Sequence, residues 1–156
     1  MNSIELLLLN FKETRRRSIN VWRGIPEEYL HWKPDSKALS CIEMIRHVLE
    51  GEHLFHVIIK NRGNLGNYTS PWKNLAYTNV MNELSFAAPY RTSFYEMLEK
   101  LSEADLTDIV IRREEVNQEK LLGDYLNRMV YHEAVHVGQL LGYLRTLKIK
   151  RPQIWD

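Results

Sequence analysis

His132 and His136 stand four residues apart in the segment Tyr131-His132-Glu133-Ala134-Val135-His136. On an α-helix that spacing projects both imidazoles from one face, about one turn apart, close enough to reach a single metal ion. The same spacing also suits two core histidines hydrogen-bonded to their neighbours. Both lie on an apolar stripe that runs Leu122, Tyr125 or Leu126, Met129, His132, His136, Leu140, Tyr143, Leu147, where an imidazole without a partner would be costly to bury. His47 lies on a second stripe, Met44, His47 or Val48, Gly51, Leu54 or Phe55, Ile58, and Gly51 leaves space one turn beyond it. The expectation is three buried histidines facing one site.

Four amphipathic segments must position them. The first helix spans about residues 4–23 and ends at Gly24 and Pro26, with a long connection through Trp32-Lys33-Pro34 to Leu39. Ser40-Cys41-Ile42-Glu43 is a capping box that starts the second helix, and Asn61-Arg62-Gly63-Asn64 stops it. Residues 62–78 read as a long loop anchored by Trp72. The third helix runs from about Asn79 to Leu101, with Pro89 expected to bend it or delay its start. Ile109-Val110-Ile111 reads as a short extended piece before a charged linker over 112–120, and the fourth helix runs from Leu121 to Leu147. This pattern predicts one all-α domain over residues 1–156, a four-helix bundle with long 1-2 and 2-3 connections.

Register selects the order of the helices. His47 precedes the end of the second helix at Asn61 by fourteen residues. The midpoint of His132 and His136 follows the start of the fourth helix near Lys120 by the same number. If these two helices are antiparallel, both sites stand roughly 21 Å from one end of the bundle. If they are parallel, the heights differ by roughly 10 Å. A shared site therefore predicts up-down-down-up order, with residues 62–78 crossing the length of the bundle.

Three neutral imidazoles leave coordination positions open for water or substrate, as catalytic rather than structural zinc sites do. A water there can ionise near neutral pH, or a thiol can be held as its nucleophilic thiolate. Zinc or nickel fits such a donor set first, with iron or manganese also compatible. Glu50, one turn beyond His47, reads either as a fourth ligand or imidazole acceptor or as a surface carboxylate. Gln139 has the same place relative to His136, either as that ring's hydrogen-bond partner or as a polar boundary residue. Arg91 interrupts the stripe of the third helix, as an anchor for an anionic substrate or with its stem reaching to water. Glu133 points about 100° away from His132, a poor direction for a base. His31, His53 and His56 read as structural or exposed. Trp22, Trp32 and Trp72 read as packing the loops over the bundle's ends, and Trp155 lies in a tail.

Composition narrows the partners. Twenty-one Lys and Arg against twenty Asp and Glu leave a net charge of +1, which gives nucleic acid or anionic lipid no field to follow. The one basic run, Arg15-Arg16-Arg17, spreads over about 200° of a helix and reads as a solvated face. Cys41 is the single cysteine, so no intrachain disulfide forms and a reducing cytoplasm is the expected home. The opening Met1-Asn2-Ser3-Ile4-Glu5 reads as mature helix rather than a leader, and no apolar run approaches the roughly 20 residues of a membrane span.

The segment His132-Glu133-Ala134-Val135-His136-Val137-Gly138-Gln139 resembles the His-x-x-x-His-x-Gly-Gln signature of the DinB/YfiT-like superfamily of metalloenzymes. Ser40 to His47, following Trp32-Lys33-Pro34, resembles the part of that family that supplies the first histidine. The resemblance covers the whole chain. It implies a four-helix bundle, a metal held by His47, His132 and His136, and homodimers. Some relatives are thiol transferases that use bacillithiol, mycothiol or glutathione. The leading expectation is thus a metal-dependent transferase that joins a low-molecular-weight thiol to an electrophile. The alternatives are a non-catalytic metal-binding stress protein and a metal-dependent hydrolase with Glu50 or Glu133 as base.

Overall fold

The first three long helices begin where their capping residues place them. In the computed structural model, which describes residues 1–155, α1 (Ser3–Arg23) opens with Asn2 and Glu5 exchanging side-chain and backbone hydrogen bonds. α2 (Cys41–Lys60) opens with the Ser40–Glu43 box, the Ser40 amide donating to Glu43 Oε2 at 2.7 Å. α3 (Val80–Leu98) is capped by Asn79. Pro89 neither delays its start nor ends it: the helix runs continuously through an exposed Pro89. A one-turn α4 (Asp105–Asp108) precedes α5 (Leu122–Thr146), the longest helix among the described residues.

The all-α expectation needs one correction. Between α4 and α5, β1 (Val110–Arg113) pairs antiparallel with β2 (Gln118–Leu121), Ile111 opposite Lys120. Residues 112–120 are therefore a hairpin rather than a linker. Ile111 is its buried anchor, and Asn117 makes the turn in the left-handed conformation at φ 48°, which asparagine tolerates better than most residues. The hairpin in turn fastens the end of α2. Arg112 N–H donates to Arg62 C=O at 3.0 Å, and a Cβ on Gly63 would lie 1.9 Å from Arg112 O, so this approach needs glycine.

The four long helices pack as neighbours in the pairs α1–α5, α1–α3, α2–α3 and α2–α5. Along α2, His47 meets His132 and His136 while Phe55 meets Tyr125, so α2 and α5 run in opposite senses. Along α2 and α3, Arg46 pairs with Glu83 and His56 packs on Phe94, so those two run the same way. The apolar core falls into two clusters. One gathers Trp22, Ile42, Ile45 and Leu140; the other gathers Phe11, Ile58, Phe94, Tyr125 and Leu126.

Residues 61–79 hold no helix or strand, as expected of a crossing loop, and Trp72 is buried against Phe86 and Tyr90. Arg46 fixes the end of this loop by donating to Leu75 C=O and Ala76 C=O while it pairs with the buried Glu83. Trp22 is fully buried, Trp32 packs on Tyr143, and Trp155 is exposed. Cys41 is buried, and that burial pushes its thiol up to about 11, away from reactivity. No helix of the structure is long and apolar enough to cross a membrane.

Candidate metal centre

The helical spacing of His132 and His136 places both rings on the side of α5 that faces α2, and Gly51 lets α2 come close: a Cβ there would sit 3.3 Å from His132 Cε1. The three rings converge through the same atom. His132 Nε2 stands 3.1 Å from His47 Nε2 and 3.1 Å from His136 Nε2, and one ligand atom from each residue lies within 4.8 Å of the others. Metal–nitrogen bonds of about 2.0–2.1 Å in a tetrahedral arrangement separate neighbouring donors by about 3.3 Å. Two of the three separations are close to that value and the third is no more than 4.8 Å, so small rotations of the rings, with the helices in place, would bring all three onto one small divalent ion.

The site is more open than expected. His47 is exposed, and His132 and His136 are half-buried rather than buried. The stripe of α2 turns its buried side toward Met44, Ile45, Val48, Leu49 and Glu52, leaving His47 at the rim. Even so, burial lowers the readiness of His47 to take a proton, as does the charge of His136. His132 is pushed down to about 4, by burial first and then by the neighbouring imidazoles. His47 and His132 are thus neutral near pH 7, the state in which imidazole nitrogen is a ligand.

Gln139 Oε1 lies 2.7 Å from His136 Nδ1, which fixes the proton on that nitrogen and turns the Nε2 lone pair toward the other rings. Glu50 is half-buried and stands outside the group of converging ligand atoms, although its charge reaches both His47 and His53. Arg91 turns inward: it pairs with Glu52, donates to Phe11 C=O at 2.9 Å and contacts Tyr95 Oη. His56 is buried against Phe94, and His53 packs among Tyr68, Trp72 and Tyr90.

Beneath the histidines lies a charged cluster that the sequence did not announce. Arg15, expected on a solvated face, is 5% exposed and reaches between two carboxylates. Its Nε donates to Glu133 Oε1 at 2.7 Å, and its Nη2 donates to Glu133 Oε2 at 2.9 Å and Glu52 Oε2 at 3.3 Å. Burial favours the neutral form of Glu133, but the charge and hydrogen bonds of Arg15 outweigh it and hold the group below the usual carboxylate range. For Glu52 burial prevails and its pKa is raised despite Arg15 and Arg91. A signal did exist: Arg15 follows Phe11 by four residues and precedes Trp22 by seven, the spacing of one buried helix face.

Known proteins resemble this chain in sequence and in fold. A model of the DinB superfamily matches residues 10–140. The chain is 29% identical over 142 residues to the uncharacterized protein YjoA of Bacillus subtilis, covering 90% of this chain and 88% of that one. It also superposes on a crystal structure of the DinB-like protein YjoA from Bacillus subtilis, with a TM-score of 0.71 at 23% identity and 95% coverage of each chain, a likeness of fold.

Proposed function

The chain belongs to the DinB superfamily, and on that premise we propose that His47, His132 and His136 hold one divalent transition metal ion, with zinc or nickel the first candidates. We further propose that the protein is a metal-dependent transferase that joins a low-molecular-weight thiol to an electrophile. The observation that carries this reading is the convergence of three imidazole nitrogens within 4.8 Å of one another, two of the pairs at 3.1 Å, on a face where His47 is exposed. The chain supplies three ligand atoms to that group, which leaves the outward side for a small molecule. When bound, the ion would supply the Lewis acidity that keeps a thiol ionised near neutral pH. In the net reaction a sulfur–carbon bond forms while the thiol proton and the electrophile's leaving group depart.

The chain's own residues support this division of labour. Gln139 orients His136, and burial keeps His132 neutral. Glu133 is occupied by Arg15 on the buried side of the site, so a hydrolase would depend on Glu50 as its base, which ranks that reading last. We also read the helix contacts as up-down-down-up bundle order, and we infer a cytoplasmic homodimer as the working form. The test is thiol-dependent loss of monochlorobimane, measured on untagged, metal-loaded protein. Turnover with a small thiol that disappears in His136→Ala is the expected result; equal rates in both proteins overturn it. A chelator-sensitive melting temperature without turnover of any thiol, ester or amide would leave a non-catalytic metal-binding protein.

A further inference from the structure

The buried face of His132 opens on a void of about 10 Å³ between α1, α2 and α5. Part of its wall is apolar, with Val48 and Met129 among the residues, and three polar side chains reach it: His132, Glu52 and Glu133. One water molecule needs about 10–15 Å³ and two to four polar partners, so both the size and the lining suit a single water. We propose that this void holds one ordered water that accepts from His132 Nδ1–H and donates to Glu52 and Glu133, which makes the two carboxylates positioning residues for His132. This inference rests on the metal-binding reading above.

The atoms of the cluster leave these places open. His132 Nε2 is committed to the other two rings at 3.1 Å each, so a lone pair presented there requires the ring proton on Nδ1. Among the described residues no side chain hydrogen-bonds that Nδ1 directly, whereas the Nδ1 of His136 has Gln139 at 2.7 Å. Arg15 and Arg91 both engage Glu52 through Oε2, which leaves Oε1 as an acceptor. Glu133 accepts from Arg15 at both oxygens and from Ser18, and a carboxylate has about four lone-pair sites, so one acceptor site remains. A neutral water therefore completes the cluster without disturbing its balance of two cations and two anions. A metal-bound histidine whose other nitrogen is held in this way keeps its tautomer and orientation, and loss of such a partner lowers metal affinity about 10- to 100-fold.

Val48→Ile adds one methyl group to the wall of the void while leaving every charged and ligating residue in place. The experiment measures buried water in the metal-free protein by water-proton and oxygen-17 relaxation dispersion, and cobalt(II) affinity by its visible absorption, in wild type and variant. The expected result is one fewer long-lived water in Val48→Ile and cobalt binding weakened about tenfold, with the metal-free melting temperature changed by less than about 3 °C. An unchanged water count or unchanged affinity overturns the proposal. Glu52→Gln, which keeps the side-chain shape, decides the matter if Val48→Ile fails to fold: wild-type cobalt affinity there also overturns it. If wild type binds cobalt and the variants bind it equally well, this inference falls while the metal site stands. If wild type holds the water but takes no cobalt, the metal reading falls and the positioning role falls with it.

Discussion

The histidine trio and the two carboxylates of the charged cluster beneath it come from neighbouring stretches of the same two helices, yet they end in opposite chemical states. Glu133 follows His132 directly, but the 100° step of the helix carries it inward, where it meets Arg15. Glu52, five residues beyond His47, likewise turns to the core and meets Arg15 and Arg91. In that cluster each buried charge is answered by another. Among the histidines no carboxylate joins the group of ligand atoms, and burial together with mutual repulsion keeps His47 and His132 neutral. A cation meets donors at the trio, whereas the carboxylates close by are already bound. The facing helix, rather than nearness in sequence, decides whether an ionisable side chain is available to a ligand.

The sharpest way to break this contrast is to remove a donor from the trio. His47→Ala and His136→Ala should each reduce metal content from near one equivalent to near zero, read by plasma mass spectrometry, with the fold retained by circular dichroism. A variant that keeps its metal would move the site elsewhere. Removing a charge from the cluster should act on stability instead. Arg15→Leu leaves Glu52 and Glu133 buried without their shared cation and should cost about 3–5 kcal/mol in urea unfolding. A loss below about 1 kcal/mol, the scale of a surface pair, would mean the cluster is solvated.

A buried imidazole outside both groups sharpens the point. Burial, then the charges of Lys60 and His53, push His56 down to about 4, so it is neutral in the fold and takes a proton in the unfolded chain below about pH 6.5. Its contribution is complete above that pH and is lost as pH falls toward 4, by roughly 1–3 kcal/mol. A His56→Leu variant should lose that part of the acid dependence of urea unfolding; an unchanged profile would assign it to other groups. The smallest effect is expected at Glu50, which stands outside the converging donors. Glu50→Gln should keep its metal and alter affinity by about twofold through charge alone, as measured by chelator competition.

Much of the fold could be read from local patterns. The Ser40–Glu43 box begins α2 where expected, Asn79 caps α3, and the stripe from Leu122 to Leu147 is α5 with its end one residue earlier. The hairpin was harder to see, because its turn has neither glycine nor proline and relies on Asn117 in a left-handed conformation. Of the site, the helix face shared by His132 and His136 was legible from spacing alone. The burial of Arg15 left only its helical spacing from Phe11 and Trp22 as a trace, since its partners lie 37 and 118 residues away in the chain.

Sequence by itself determined where the long helices start, which faces are apolar and which histidines share a face, because capping and periodicity act over a few residues. Tertiary structure decided that His47 lies at the rim rather than in the core, that Arg91 and Arg15 turn inward, and that three imidazole nitrogens converge within 4.8 Å. Burial and Coulomb energies depend on groups brought together by packing. Residues on separate helices acquire those energies only when the helices meet.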